Sequence, residues 1–383
     1  MKFEFNNDIL RICLEGEINS YNADNVAKEI DEITAKQAFK KLVLDFSNVR
    51  YISSAGLRIV LKLKQKFQEV SVVETSLEVY DIFSMTGFTN IMTVRKALRT
   101  VYLSGAVIIG SGYYSTVYRL DNDTIVKIFN RVSDEDQIER ELMLSKEAFM
   151  LGIPTAISYD IVKADGKLGV CFEMLDCESL KNVVSKNQNK ISEYVKKYAE
   201  LLKTINSLST DNPIVPNIKD EYFSKLNEIK DDLGDELYKK ASKLLKDIPE
   251  RKTLVHGDCH YKNILVQNDK LLLIDMETLS KGHPIFELAS LYSAYIGFSE
   301  FNPKEALEFF GVPADKTQAL YNKLVELYFG KDDASIKDKI ALVGYINISR
   351  WYKVHSEDKE TFKKYLNRLI ELLNKYKDLD VGI

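Results

Sequence analysis

Hydrophobic positions in the first hundred residues follow the periods expected of a small sheet covered by helices. Strand patterns, alternating or continuously apolar, occur at residues 3–5, 9–16, 41–47, 70–73 and 91–94. Apolar residues recur with helical period at residues 22–33, 53–65 and 79–85. Because helices and strands alternate here, we predict that residues 1–100 form a separate α/β domain, an open sheet covered by helices.

The pattern changes between Lys96 and Ser104, where a second strand series begins. Short strands and one charged helix occupy the chain to residue 176, and helical periods dominate from residue 192 to the C-terminus. Apolar strands interrupt these helices around residues 254–277. We therefore predict a strand-rich lobe with a hinge at 104–176 and a mainly helical lobe at 177–383.

Composition and charge exclude several classes of protein. The 383 residues are 45% hydrophobic and 29% charged, which suits compact domains, and the net charge of −4 comes without a basic run. Nucleic acids and anionic membranes are therefore not expected partners. The beginning of the chain lacks a signal-like apolar stretch, and no uncharged apolar segment reaches membrane-spanning length, so we expect a cytoplasmic protein. Its four cysteines include no Cys-x-x-Cys pair, so neither a zinc site nor a disulfide framework is indicated.

Polar residues in the apolar strand region indicate phosphoryl transfer. Asp258 and Asn263 lie in a loop between two strands, and Asp275 follows the third strand. A carboxylate at 258 can take a proton from a hydroxyl group, and oxygens at 263 and 275 can bind Mg²⁺ on a nucleotide phosphate. We predict these three as catalytic residues, with Asn263 and Asp275 as the metal ligands.

A glycine-containing turn and a lysine precede that region in the chain. The turn contains Gly110, Ser111, Gly112 and Ser115, and Lys127 stands on the next predicted strand. Glycines allow the backbone to approach phosphate oxygens, and the lysine can bind them. Taken alone, the glycine pattern fits an ordinary hairpin equally well.

Two further elements complete the predicted nucleotide site. The following helix offers Glu139, Glu141 and Glu147 as partners for Lys127, and we predict Glu141. The alternative for each glutamate is an exposed helix face. Backbone groups between Glu173 and Leu175, at the hinge, are predicted by analogy to meet the nucleotide base.

The set of motifs from Gly110 to Glu277 resembles the aminoglycoside phosphotransferase and choline kinase family over roughly residues 104–383. The resemblance implies a bilobal, protein-kinase-like fold and an ATP (or GTP) and Mg²⁺-dependent kinase for a hydroxyl of a small molecule. The chain departs from the family pattern at His283 and Glu287, where aspartates are usual. His256 is expected to brace the loop, and His260 to support the structure or the neighbouring residues.

The run from Leu44 to Leu57 resembles the STAS family of anti-sigma-factor antagonists, over about the first hundred residues. The resemblance implies an anti-sigma-type or kinase protein partner and a phosphorylated serine, which the motif places at Ser54. Ser53 stands where the family often has aspartate. The alternative is that Ser53 or Ser54 only caps the helix.

Three hypotheses follow. The favoured one is a small-molecule kinase with an N-terminal regulatory domain. The second is a partner-switching regulator whose kinase-like part senses nucleotide, and the third is that this part phosphorylates Ser54. Acidic residues that could line a pocket for a cationic substrate, or simply face solvent, are Asp231, Asp232, Asp235 and Glu236.

Overall fold

The structure is a computed structural model that describes residues 1–36, 38–112, 115–131, 135–186 and 190–383. The chain divides into two compact units, Met1–Val101 and Tyr102–Ile383. A large cluster of buried apolar side chains lies in each unit.

A helix-covered sheet makes up the first unit. Its elements are β1 (Lys2–Asn6), β2 (Ile9–Ile18), α1 (Ala23–Thr34), β3 (Lys41–Ile52), α2 (Ser54–Lys66), β4 (Glu69–Thr75), α3 (Leu77–Met85), β5 (Thr93–Lys96) and β6 (Arg99–Thr100). Strands β1 to β5 lie side by side in that order, with β2 to β5 parallel and β1 antiparallel to β2. This arrangement confirms the α/β fold predicted from the sequence.

Several strand limits differ from the sequence pattern, and two of the differences have a visible cause. Strand β3 continues to Ile52, because it keeps pairing with β2 past two irregular steps of register. Strand β5 begins at Thr93 rather than at residue 91, because a short 3-10 turn at Phe88–Asn90 occupies the preceding chain.

Gly56 allows the start of α2 to approach the ends of β2 and β3. A Cβ atom at this position would lie 2.7 Å from Cγ1 of Ile52 and 2.8 Å from Cγ2 of Ile18. Both isoleucines are buried in the core. A residue with a side chain would therefore push the helix away from the sheet.

Antiparallel strands and one helix open the second unit. They are β7 (Val107–Ser111), β8 (Ser115–Arg119), β9 (Thr124–Phe129), α4 (Glu135–Met150), β10 (Ser158–Ala164) and β11 (Lys167–Glu173). Within this unit the strands lie in the order β10-β11-β9-β8-β7. Lys127 on β9 faces Val117 of β8 and Val170 of β11 in register, so it stands in the middle of the sheet.

The rest of the second unit is mainly helical, as predicted. Its elements are β12 (Glu178–Ser179), α5 (Leu180–Lys186), α6 (Ile191–Ser207), α7 (Ile218–Glu228), α8 (Lys230–Asp247), β13 (Leu254–Val255), β14 (Ile264–Gln267), β15 (Lys270–Leu273), β16 (Ser280–Lys281), α9 (Ile285–Tyr295), α10 (Lys304–Phe310), α11 (Ala314–Phe329), α12 (Ala334–His355) and α13 (Lys359–Lys375). Helix α9 is buried along most of its length and packs against α12.

Short strands position the loop that carries the candidate catalytic residues. Strands β12, β14 and β15 form one small sheet, and β13 pairs with β16. The loop 256–263 runs from β13 to β14, and Asp275 follows β15. Among the described residues, no helix is both long enough and apolar enough to cross a membrane.

Candidate active site

Lys127 joins two carboxylates from different parts of the second unit. Its Nζ lies 2.7 Å from Oε1 of Glu141 on α4 and 2.8 Å from Oδ1 of Asp275. The side chains of Lys127 and Glu141 are 13% and 7% exposed. Burial lowers the pKa of Lys127, but the charges of Asp275 and Glu141 outweigh that effect and raise the pKa above its ordinary value. The lysine therefore stays charged.

The other two glutamates considered for this role lie elsewhere. Glu139 is exposed. Glu147 accepts hydrogen bonds from the Thr210 hydroxyl and the Asn212 amide. Of the three, Glu141 is the residue that meets Lys127.

Asp258 and Asn263 contact each other across the loop that follows β13. The amide nitrogen of Asn263 donates to the backbone carbonyl and to Oδ2 of Asp258, both at 3.0 Å. A 3-10 turn at Tyr261–Asn263 brings the two side chains together. Because its nitrogen is committed to Asp258, the Asn263 amide presents its oxygen to any cation.

The environment of Asp258 suits a proton acceptor. Desolvation by surrounding protein atoms, together with the negative charge of Asp275, raises the pKa of Asp258 to about 8, while the bond from Asn263 opposes the shift. Its side chain remains 43% exposed, so a substrate can reach it. A carboxylate with a raised pKa is a stronger base than an ordinary one.

His256 braces the loop, as the sequence analysis expected. Its Nδ1 accepts from the backbone N–H of Asp258, and its Nε2 lies 3.2 Å from the Ile274 carbonyl. Burial lowers the pKa of His256 to about 4, so the ring is neutral and Nε2 donates. His256 therefore ties Asp258 to the segment that precedes Asp275.

His260 belongs to the same loop and packs against two aromatic side chains. Its ring meets Phe309 and Phe310 edge-on, with centroid distances of 5.2 and 5.7 Å. Nε2 lies 3.5 Å from Oδ1 of Asp258. Burial lowers the pKa of His260 to about 4, which makes it a neutral neighbour of the carboxylate.

Glu287 holds the loop 256–263 through hydrogen bonds to its backbone, a role that the sequence analysis missed. Its carboxylate accepts the backbone N–H groups of His256, at 2.5 Å, and of Gly257, at 3.2 Å. Gly257 has a φ of +83°, which disfavours side chains, and a Cβ there would lie 3.0 Å from the Thr278 carbonyl. A lone glutamate in the first turn of an apolar helix was the available signal, since a buried carboxylate needs hydrogen-bond donors.

The loop also receives two hydroxyl groups. The Thr278 hydroxyl donates to the His256 carbonyl at 2.7 Å, and the Ser290 hydroxyl donates to the Gly257 carbonyl. Neither residue was singled out from the sequence, because serine and threonine occur throughout the chain without a recognisable spacing here. Together with Glu287, they fix the backbone on both sides of Asp258.

Oxygen donors around Asp275 suit a hard cation. Carboxylate oxygens of Glu141, Asp275 and Glu277 lie within 4.8 Å of one another. One oxygen of Asp275 is held by Lys127, and Asn263, whose amide nitrogen donates to Asp258, offers its amide oxygen. Carboxylate and amide oxygens are the ligands that Mg²⁺ prefers, so the residues present fit that ion.

The glycine-containing turn connects β7 and β8 beside the strand of Lys127. Gly110 pairs with Val117, and Ser111 with Thr116. The N–H of Gly112 donates to the Ser115 carbonyl at 2.9 Å. The two tyrosines between Gly112 and Ser115 lie outside the described residues.

Some backbone N–H groups at the predicted hinge already donate hydrogen bonds within the protein. The N–H of Glu173 donates to the Ile157 carbonyl, and that of Met174 to the Asp123 carbonyl, both at 2.8 Å. Strand β11 ends at Glu173, and half-buried Leu175 lies in the coil that follows. Because two of the three N–H groups are already used, Leu175 is the better candidate donor to a base.

A cavity of about 200 Å³ opens beside Asp258. Helices α7, α9 and α12 and the loop 256–263 supply most of its walls, which are lined by Ile218, Glu221, Tyr222, Lys225, Gly257, Asp258, Thr278, Phe286, Ser290, Ser293, Ala294, Phe298 and Asn347. The four acidic residues of α8 considered from the sequence are not among these lining residues, and Asp232 instead pairs with Lys353.

The two serines at the start of α2 have different environments. Ser53 is the N-cap, and its hydroxyl accepts the N–H groups of Ala55 at 3.2 Å and Gly56 at 3.5 Å. Ser54 is the first helical residue and is exposed. The cap is therefore Ser53, which leaves Ser54 accessible to a modifying enzyme.

Comparisons with known proteins match both units. The model of the phosphotransferase enzyme family matches residues 105–318, and that of the STAS domain matches residues 1–101. A Bordetella bronchiseptica protein described as an anti-sigma factor antagonist is 37% identical over 93 residues, which cover 23% of this chain and 79% of that protein. The anti-sigma F factor antagonist of Paenibacillus polymyxa is 26% identical over 98 residues, which cover 24% of this chain and 84% of the relative.

Solved structures that are similar to this chain have low sequence identity to it. The ADP-bound aminoglycoside phosphotransferase APH(2'')-Ib is 16% identical, with a TM-score of 0.47, over 72% of this chain and 93% of that one. A choline/ethanolamine kinase family protein from Mesorhizobium loti is 12% identical, with a TM-score of 0.45, over 71% and 88% of the two chains. The family models match more than half of the sequence, and the chain belongs to the phosphotransferase enzyme family and carries a STAS domain at residues 1–101.

Proposed function

We propose that the second unit transfers the terminal phosphoryl group of ATP or GTP to a hydroxyl group of a small molecule, with Mg²⁺. The observation that supports this most directly is the convergence of two residue groups. Asp258 is held by Asn263, and Lys127 is held by Glu141 and Asp275. A base, a cationic phosphate ligand and oxygen donors for a metal are the parts that phosphoryl transfer requires.

Each residue then has a defined task. Asp258 accepts the proton of the acceptor hydroxyl while the hydroxyl oxygen bonds to the terminal phosphorus, and the bond from that phosphorus to the bridging oxygen breaks to release ADP or GDP. Lys127 binds the nucleotide phosphates, and Glu141 holds its ammonium group in place. Asn263 and Asp275 would hold Mg²⁺, which would neutralise charge on the phosphates.

The turn between β7 and β8 and the coil after β11 are proposed to hold the nucleotide. Gly110, Ser111, Gly112 and Ser115 would cover the phosphates. Leu175 would meet the base through its backbone. The exocyclic groups that distinguish adenine from guanine would lie at this coil, so competition between ATP and GTP measures the preference.

Asp258→Asn tests the assignment of the base. We expect phosphoryl transfer to be abolished while nucleotide binding survives, because the amide cannot accept the proton. ADP release with a panel of hydroxyl acceptors measures phosphoryl transfer, and titration with a fluorescent nucleotide measures nucleotide binding. The matched control is Asp315→Asn, which alters an exposed carboxylate on α11. Turnover equal to that of the control would rule out Asp258 as the base.

A second function is proposed for the STAS domain. Two relatives of this domain are described as anti-sigma factor antagonists, and exposed Ser54 lies at the N-terminus of α2 beside a separate cap, Ser53. The positive end of a helix favours a phosphate group at this position. We propose that Ser54 is a phosphorylation site that controls binding of an anti-sigma-type or kinase protein.

Two experiments separate the sources of such a phosphate. Incubation of the purified chain with ATP and Mg²⁺, followed by intact mass measurement, detects self-phosphorylation, with Ser54→Ala as the control. A pull-down that recovers a histidine-kinase-like partner only with unmodified Ser54 would support partner switching. Capture that is indifferent to Ser54 modification would contradict it.

A further inference from the structure

The cavity beside Asp258 carries a pair of opposite charges on one wall. Glu221 and Lys225 stand one turn apart on α7, and Oε1 of Glu221 lies 2.6 Å from Nζ of Lys225. Both side chains line the cavity, as does Asp258. The Lys225 side chain is only 18% exposed and its Nζ lies 4.8 Å from the centre of the Tyr222 ring, whereas Glu221 is 50% exposed.

The remaining lining side chains are uncharged. They supply hydroxyl, amide and apolar groups. Charge recognition in this cavity therefore depends on Glu221 and Lys225, with Asp258 at the reacting end.

We infer that the acceptor is a small hydroxyl compound that carries both an amine and an acidic group, such as a hydroxy amino acid. This inference rests on the proposed phosphotransferase function. The carboxylate of such a compound would meet Lys225, its ammonium group would meet Glu221, and its hydroxyl would face Asp258.

Size restricts the ligand first. The cavity of about 200 Å³ is smaller than the roughly 300–1,000 Å³ typical of sites for drug-sized ligands. A molecule of several sugar rings would extend far outside it. A compound of amino-acid size fits within this volume with its hydroxyl group at Asp258.

Charge restricts it further. A ligand with only positive charge would be attracted by Glu221 but repelled by Lys225. A ligand with only negative charge would be attracted by Lys225 but repelled by Glu221. Lys225 has three donors, of which Glu221 takes one, and Glu221 has a second oxygen. A zwitterion uses these groups without leaving a charge unpaired in a partly buried site.

Two of the three aromatic rings in the lining are unavailable to a quaternary ammonium group. Tyr222 and Phe286 are 2% and 1% exposed and pack against each other with ring centres 4.7 Å apart. Their faces are occupied by protein, so they do not form an open aromatic cage. A primary amine, which can donate to Glu221, fits this wall better than an alkylated one.

Four acceptors of similar size test the inference on the full chain: L-serine, ethanolamine, glycolate and ethylene glycol. ADP release with MgATP gives kcat/KM for each. We expect L-serine to exceed each of the others by about tenfold or more, since it alone makes both charge-assisted contacts. Equal use of ethanolamine or ethylene glycol would overturn the inference.

Substitutions in α7 identify the residues responsible. Lys225→Met should remove the advantage in kcat/KM of L-serine over ethanolamine. Glu221→Gln should remove the advantage in kcat/KM of L-serine over glycolate. Lys243→Met, at an exposed position of α8 that is 73% accessible, is the matched control and should preserve both ratios. The exchanged pair, Glu221→Lys with Lys225→Glu, retains the salt bridge and guards against a loss of folding. Ratios unchanged in both single variants would overturn the inference.

The outcomes also separate this inference from the proposed function. Transfer that depends on Asp258 but shows no preference for the zwitterion would overturn only the inference. Absence of transfer to all four acceptors, with nucleotide binding intact, would likewise overturn the inference. Absence of Mg²⁺-dependent nucleotide binding would overturn the proposed function itself.

Discussion

The ammonium group of Lys127 lies 2.8 Å from Oδ1 of Asp275, although 148 positions separate the two residues in the chain. Lys127 belongs to the central strand of the first sheet of its unit, and Asp275 follows β15, an edge strand of the small sheet formed by β12, β14 and β15. This contact joins the predicted phosphate ligand to the predicted metal ligand. It also shows that the parts of the candidate site meet only through tertiary structure.

Removal of the lysine charge should destabilise the second unit. Lys127→Met leaves Glu141, which is 6% exposed, without its cation, and breaking such a buried pair costs about 3 kcal/mol. Adding Glu141→Leu should restore part of the loss, because the unpaired charge disappears. Urea unfolding measures both effects, with Lys186→Met as the exposed control. Equal stability of Lys127→Met and the control would contradict the prediction.

Glu287 should make stability depend on pH. Burial raises the pKa of Glu287 to about 7 from 4.5, although the N–H groups of His256 and Gly257 oppose the shift. The folded state therefore holds a proton that the unfolded state has lost between these values, and stability should fall by up to about 3 kcal/mol as pH rises from 4.5 to 7.

Unfolding across this pH range in the wild type and Glu287→Gln measures the effect. The variant should lose most of the slope, and Glu308→Gln, an exposed glutamate, should keep it. An identical slope in wild type and Glu287→Gln would show that another group is responsible.

Phosphoryl transfer should depend on the ionisation of Asp258. Its pKa of about 8 means that most of the protein lacks the ionised base at neutral pH, so the rate should rise with pH until about 8. Higher Mg²⁺ should shift the rise to lower pH, because a nearby cation favours the carboxylate. Rates of transfer across pH at two Mg²⁺ concentrations provide the measurement. A transfer rate that does not change between neutral pH and pH 8 would contradict the prediction.

Ser53 and Ser54 should differ in their effect on α2. Ser53→Ala removes the cap and should cost about 1 kcal/mol, whereas Ser54→Ala should change stability by less than about 0.5 kcal/mol. Hydrogen exchange at the amides of Ala55 and Gly56 reports on this helix end directly. Faster exchange in Ser54→Ala than in Ser53→Ala would reverse the assignment of the cap.

Local patterns predicted much of the fold, because strand and helix periods depend on neighbouring residues. Residues 41–47 read as a strand, and the structure extends the strand to Ile52 through long-range pairing with β2. The sequence did not predict which backbone N–H groups between Glu173 and Leu175 are free to bind a nucleotide base. Two of its N–H groups bond to Ile157 and Asp123, which lie in other parts of the unit, and no local pattern contains that information.

The sequence by itself determined the family, the two-part organisation and the order of Lys127, Asp258, Asn263 and Asp275, because these follow from motif spacing and periodicity. Only the tertiary structure decided which glutamate meets Lys127, what holds the loop around Asp258 and which charges line the cavity beside it. Glu287 and the pair Glu221 and Lys225 acquire these contacts through the packing of α7 and α9 near the loop, which the sequence of either helix alone does not show.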